Sequence, residues 1–136
     1  AHAKALAEGF ALQHGLPPKP DRQPRPDAAL LEQGRKMVGP TGFSCNACHN
    51  IGEKKSIGVF EAPGINFAHA RDRLQKEYFL RWIAIPLRVE PETRMPQFIE
   101  YGKKSPFANI FAGDANKQFD AMWHYLLSGV KIKAPE

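Results

Sequence analysis

The apolar positions of this chain fall into helical periods separated by proline- and glycine-rich breaks, and no stretch alternates long enough to predict a strand. The clearest period lies near the C-terminal end, where Phe119, Met122, Trp123, Leu126 and Leu127 recur on one helix face, with Asp114 as N-cap and Gly129 as stop. A second helix is predicted from about Ala28 to Val38. Asp27 caps it, Leu30, Leu31, Gly34, Met37 and Val38 form its stripe, and Gly39-Pro40 closes it. A third runs from about Gln75 to Ala84 with Tyr78, Phe79, Trp82 and Ile83 as its apolar members; a short turn from Ala68 to Arg73 leads in and Pro86 ends it. Residues 1–16 hold one more short helix, since Ala3, Leu6, Ala7 and Phe10 share a face ahead of Gly15. The predicted fold class is all-α.

The breaks divide the chain. Pro17 to Pro26 holds five prolines, whose missing N–H groups and fixed φ forbid helix, so this segment is expected to be an extended tether or a strap over the domain. Residues 1–26 are then an N-terminal extension, and residues 27–136 the domain proper. Within that domain, the segment after His49 through Gly52, Gly58 and Pro63-Gly64, and the segment from Leu87 to Pro106, are expected loops. Gly34 sits inside an apolar stripe where glycine costs about 1 kcal/mol of helix propensity, so a close approach by another element is expected there.

Composition adds bounds. A chain of 136 residues with 43% hydrophobic and 24% charged content is a single globular domain, small enough that a buried cofactor would form a large part of its core. No apolar run is long enough to span a bilayer; Tyr78 to Leu87, the best candidate, is short and contains Arg81 and Pro86. The chain opens at Ala1 without an initiator methionine or secretory signal, as expected of a mature or excised product. A net charge of +5 raises nucleic acid as a partner, but the basic residues are scattered, with only the pairs Lys54-Lys55 and Lys103-Lys104 and no aromatic-interleaved basic ribbon. A solvated basic surface, with steering toward an acidic partner protein as its functional counterpart, is the expectation.

The chemistry concentrates in Cys45-Asn46-Ala47-Cys48-His49. Two cysteines separated by two residues and followed directly by histidine form the attachment pattern of c-type haem. The thiols add across the porphyrin vinyl groups as thioethers, and the adjacent imidazole is carried under the iron as proximal ligand. A zinc site would need two more ligands in paired spacing; both cysteines are spent, and His2, His14, His49, His69 and His124 show no such pairing. A redox dithiol would sit beside a βαβ unit, and no strand is in reach. One covalent haem c is therefore expected, held by Cys45 and Cys48. Because such attachment takes place outside the bacterial cytoplasm, a periplasmic or otherwise exported location is implied.

The other face of the iron decides between electron transfer and chemistry on a bound ligand. Met37 and Met122 lie on helix stripes and are expected core residues, whereas Met95 sits in the proline-punctuated loop from Pro91 to Pro96, and Pro96 keeps it extended. Met95 is the expected second axial ligand, with His69 and His124 as rivals. Haem propionates need buried donors, for which Arg71, Arg73, Tyr78, Trp82 and Arg94 lie in suitable segments, Trp82 first because a buried indole N–H needs a partner.

Together these motifs resemble the class I monohaem cytochrome c family, over about residues 27–130: a helix, C-x-x-C-H, a Pro-Gly loop, an aromatic helix, Thr93-Arg94-Met95-Pro96 and a terminal aromatic helix. The resemblance implies that the first and last helices of the domain cross, that loops and short helices enclose the haem, and that Gly34 faces Trp123 or Tyr125. It implies a Pro63 carbonyl accepting the His49 Nδ1–H, a bond that would fix tautomer and ring orientation. It further implies a non-enzymatic electron carrier with redox protein partners, docking at the Cys45–Cys48 edge with help from Lys54 and Lys55. The stretch Phe67 to Ile83 followed by the Met95 loop looks most like cytochrome domains appended to larger bacterial redox enzymes or strung in tandem, so an electron-entry domain of an oxidoreductase is the alternative. A gas-sensing or peroxidatic haem, with Met95 displaced, is the other. Residues 1–26 depart from the minimal family pattern.

Overall fold

The computed structural model describes residues 2–16, 22–58, 63–100 and 103–136. Pro17 to Asp21 of the expected tether, residues 59–62 of the loop before Pro63-Gly64, and residues 101–102 lie outside the described residues. Among those described, regular structure is helical throughout: α1 (His2–Gln13), α2 (Ala28–Val38), α3 (Ala70–Arg73), α4 (Lys76–Ala84), α5 (Pro86–Val89) and α6 (Ala115–Leu126), joined by 3₁₀ turns at Cys45–Ala47, Phe67–His69, Phe111–Gly113 and Gly129–Lys131. The only β pairing among them is two isolated bridges, His49 with Gly64 and Ile51 with Lys54.

Local chemistry explains the helix ends. Asp27 accepts the Leu30 amide at 2.9 Å and Asp114 accepts those of Asn116 and Lys117, so α2 and α6 each begin on a carboxylate that satisfies otherwise unpaired donors. At the other end of α4 the structure corrects the sequence-based expectation. Pro86 does not open a loop but stands at the first position of α5, where its missing N–H is no loss and its ring holds Ile85 at φ −145°, ψ 80°. Likewise α6 ends at Leu126, and Gly129, with φ +56°, starts a separate turn.

The core is built where α2 meets α6. A side chain on Gly34 would overlap the Ala121 carbonyl and stand 2.9 Å from Cβ of Tyr125, so the missing Cβ lets two helix backbones touch. Trp123 faces elsewhere and packs on Phe79 of α4, ring centroids 5.6 Å apart. Met37, Val38, Ala121 and Leu127 are fully buried around this crossing, and Met37 and Met122 are core residues as expected.

Two features place the loops. Phe43, buried just ahead of Cys45, meets Phe98, Phe107 and Phe119 at 5.3, 5.1 and 6.1 Å, tying the cysteine segment to the long loop and to α6. Gln118, buried in α6, donates to the carbonyls of Phe107 and Ile110 and so fastens the end of that loop. The extension is pinned too. Arg81 of α4 donates to the His14 and Gly15 carbonyls, Gln23 donates to the Leu74 carbonyl, and the Asp27 N–H donates to His124 Nδ1.

Candidate functional site

Ser44, held at φ +54°, turns the chain into the 3₁₀ turn Cys45–Ala47, and the Cys45 carbonyl accepts the amides of both Cys48 and His49. This compact turn gathers two thiols and an imidazole within five residues. Cys45 is buried and its thiol is pushed up to about 12, burial being the main cause. Cys48 is half-exposed.

His49 is oriented by its neighbours. Its Nδ1 lies 2.9 Å from the Ile65 carbonyl oxygen, which as a pure acceptor requires the proton on Nδ1 and leaves the lone pair on Nε2. The expected acceptor, Pro63, is not the one used. The chain bridges His49 through Gly64, whose amide donates to the Cys48 carbonyl, and this register brings the carbonyl two residues beyond Pro63 to the ring. Burial lowers the His49 pKa against a smaller opposing effect of the Ile65 bond, which keeps the imidazole neutral, the form that ligates a metal. Phe67 packs on the ring at 4.5 Å, and a Cβ on Gly64 would overlap ring atoms, so the imidazole is held from two sides. Asn66 stitches this loop together, accepting from the Gly52 and Ala68 amides and donating to the Gly52 carbonyl.

A second group forms on α4 and the loop that follows. Met95 is half-buried against the core, its amide donates to Thr93 Oγ1 at 3.2 Å, and the Trp82 indole N–H donates to its Sδ at 2.8 Å. The N–H expected to serve a propionate is thus committed to sulfur. Tyr78 stacks on Trp82, ring centroids 6.1 Å apart. The remaining expected donors disperse: Arg71 donates to the Leu127 carbonyl at the end of α6, while Arg73, Arg94 and Pro63 are exposed. Of the rival ligands, His124 has Nδ1 engaged by Asp27 and His69 is exposed. No hydrogen bond among the described residues links the His49 group to the Met95 group.

Among the described residues no cluster of three or more His, Cys, Asp or Glu side chains could hold a metal ion. The candidate donors are two thiols and one imidazole nitrogen in the Cys45–His49 turn and a thioether in the separate Met95 group. Those suit a porphyrin tethered through sulfur, and they fall short of a closed zinc tetrahedron. On the surface beside His49, a shallow concavity is lined by Asn46, Lys54, Lys55, Ile57 and Pro135. No helix is long and apolar enough to cross a membrane among the described residues. Protein-family models, curated proteins and solved structures offer no match to this chain.

Three contributors escaped the sequence. Ile65 acts through its backbone, which any residue supplies; Phe67 belongs to no motif that marks it for the His49 ring; and Gly64 was visible only as half of a Pro-Gly loop signal.

Proposed function

We propose that this chain is an exported electron carrier with a class I cytochrome c fold, one haem attached through Cys45 and Cys48 and its iron ligated by His49 and Met95. The observation that carries the proposal is the His49 imidazole, held neutral beside both cysteines with Nδ1 tied to the Ile65 carbonyl and Nε2 left to bind iron. When bound, haem supplies an iron that accepts and returns one electron.

The chain's own residues supply what tunes and protects that centre. The Ile65 bond raises the ligand strength of His49, and Phe67 covers one face of its ring. A thioether as second ligand favours the reduced state and closes the iron to exogenous ligands, which supports a carrier over an enzyme or sensor. Lys54 and Lys55, exposed next to the motif, suit an acidic redox partner.

Absorption spectroscopy of the matured protein and of Met95→Ala tests the proposal. The parent should show the weak ferric band near the red end of the visible that marks sulfur-to-iron charge transfer, and Met95→Ala should lose it and bind added imidazole readily. An unchanged spectrum in the variant would remove Met95 from the iron.

A further inference from the structure

We infer that His124 is a pH-sensitive latch: its neutral ring holds the N-terminal extension to the domain at Asp27, and its protonated ring lets that point go, whatever ligates the iron. The backbone N–H of Asp27 donates to His124 Nδ1 at 2.9 Å, across 97 positions of sequence. An N–H can donate only to a ring nitrogen that carries no proton, so the His124 proton sits on Nε2. The bond fills a place that α2 leaves open. Asp27 caps α2 and its carboxylate serves the Leu30 amide, but its own N–H needs an acceptor, which in a capping box comes from a Glu or Gln at the third helical position. That position holds Leu30, whose side chain has no acceptor, and α6 supplies His124 instead.

Protonation removes that acceptor. An imidazolium is a donor at both nitrogens, so its Nδ1–H and the Asp27 N–H would face each other as two donors. Histidine changes charge between about pH 8 and pH 5. The other anchors of the extension do not titrate there: Arg81 donates to the His14 and Gly15 carbonyls, and the Gln23 amide donates to the Leu74 carbonyl. Acid therefore frees the chain where it enters the domain and leaves it held on α4 and at Leu74. The charged groups on the surrounding elements do not restore the bond. Asp120, one turn back on α6, is paired with Lys76 of α4; Glu32 on α2 is paired with Arg35; and Arg25, on the extension, is exposed. The Asp27 carboxylate attracts a charged ring but is turned to the Leu30 amide and gives the Asp27 N–H nothing in its place. A charged ring is favoured by its position in the last turn of α6 and disfavoured by the start of α2, so the two helix dipoles oppose each other and the lost acceptor decides.

The test uses matured protein in its reduced form. NMR reads the protection factor of the Asp27 amide, its exchange rate set against that of an unstructured chain at the same pH, together with the titration of the His124 ring. Between about pH 8 and about pH 5 the parent should lose about 3- to 10-fold in protection as the ring gains its proton, as the loss of one net hydrogen bond implies. Asp27→Ser, which keeps a helix cap and removes the carboxylate, should show the same loss. His124→Gln, whose side chain gains no proton in this range, should show no pH response. A His124 ring still neutral at about pH 5, or protection unchanged in the parent once the ring has titrated, would overturn the latch. A response that persists in His124→Gln or vanishes in Asp27→Ser would overturn it equally, by assigning the change to another group.

Discussion

Gly34 of α2 lies so close to Ala121 of α6 that a methyl group on Gly34 would overlap the Ala121 carbonyl oxygen. In an unobstructed helix an alanine gains about 1 kcal/mol over glycine. Here the obstructing atoms are backbone, which cannot swing aside, and overpacking of this kind costs about 1–3 kcal/mol or more. Gly34→Ala should therefore lower the stability measured by urea unfolding by about 1–2 kcal/mol. Gly9→Ala on α1, where a Cβ would meet nothing within 4 Å, should leave stability unchanged or slightly higher. A Gly34→Ala protein as stable as its parent would mean that the two helices do not meet in this way.

Tyr125 gives the fold an alkaline limit. Its hydroxyl donates to the Lys133 carbonyl at 2.6 Å, and burial raises its pKa against a weaker opposing pull from Arg35. An unfolded chain releases the phenol proton from about pH 10, while the folded chain keeps it. The folded state then binds more protons, so stability falls as pH rises above about 10. Tyr125→Phe should cost about 1 kcal/mol near neutral pH, by loss of one hydrogen bond, and should flatten the decline above pH 10. An equally steep alkaline decline in the variant would place its origin in another group.

Gly64 is the position at which a single methyl should disturb the proposed haem site without replacing any of its proposed ligands. A Cβ there would overlap Cε1 and Nδ1 of His49 and stand 2.9 Å from Nε2. The ring has little room to retreat, because Phe67 lies on it. Matured Gly64→Ala should carry less than one haem per chain, read by haem absorbance against protein concentration. Full haem content with an unaltered spectrum would show that the ring tolerates a neighbour on that side.

Much of the fold was legible because its signals are local. The stripe from Leu30 to Val38, the caps Asp27 and Asp114, and the aromatic face of α6 each reflect chemistry within a turn or two of chain, and α2 and α6 form where those signals lie. Gly34 was legible as an anomaly, and its partner could be narrowed to Trp123 or Tyr125; the choice of Tyr125 depends on how α6 is rotated against α2, which periodicity cannot specify. The helix before Pro86 ends as expected, but the short helix that Pro86 begins lies in an expected loop, because a proline after a helix can be both a stop and the first residue of a new turn.

At the site, the residues that announce themselves by type were legible and those that act through the backbone were not. Cys45, Cys48 and His49 are adjacent in sequence, and a short turn brings them together. The Nδ1 partner depends on loop register, which moved it from the Pro63 carbonyl to that of Ile65. The partner of Trp82 needed two elements folded against each other; an indole N–H in want of an acceptor was foreseeable, but the sulfur of Met95 as that acceptor was not.

The proposed electron transfer depends on covalent haem, and the intact mass of the chain after maturation in a host competent for haem attachment tests it most directly. One haem should be added to the polypeptide mass and survive acid extraction, with both thiols lost to alkylating reagents. A colourless product with the mass of the amino acids alone and two alkylatable cysteines would contradict it.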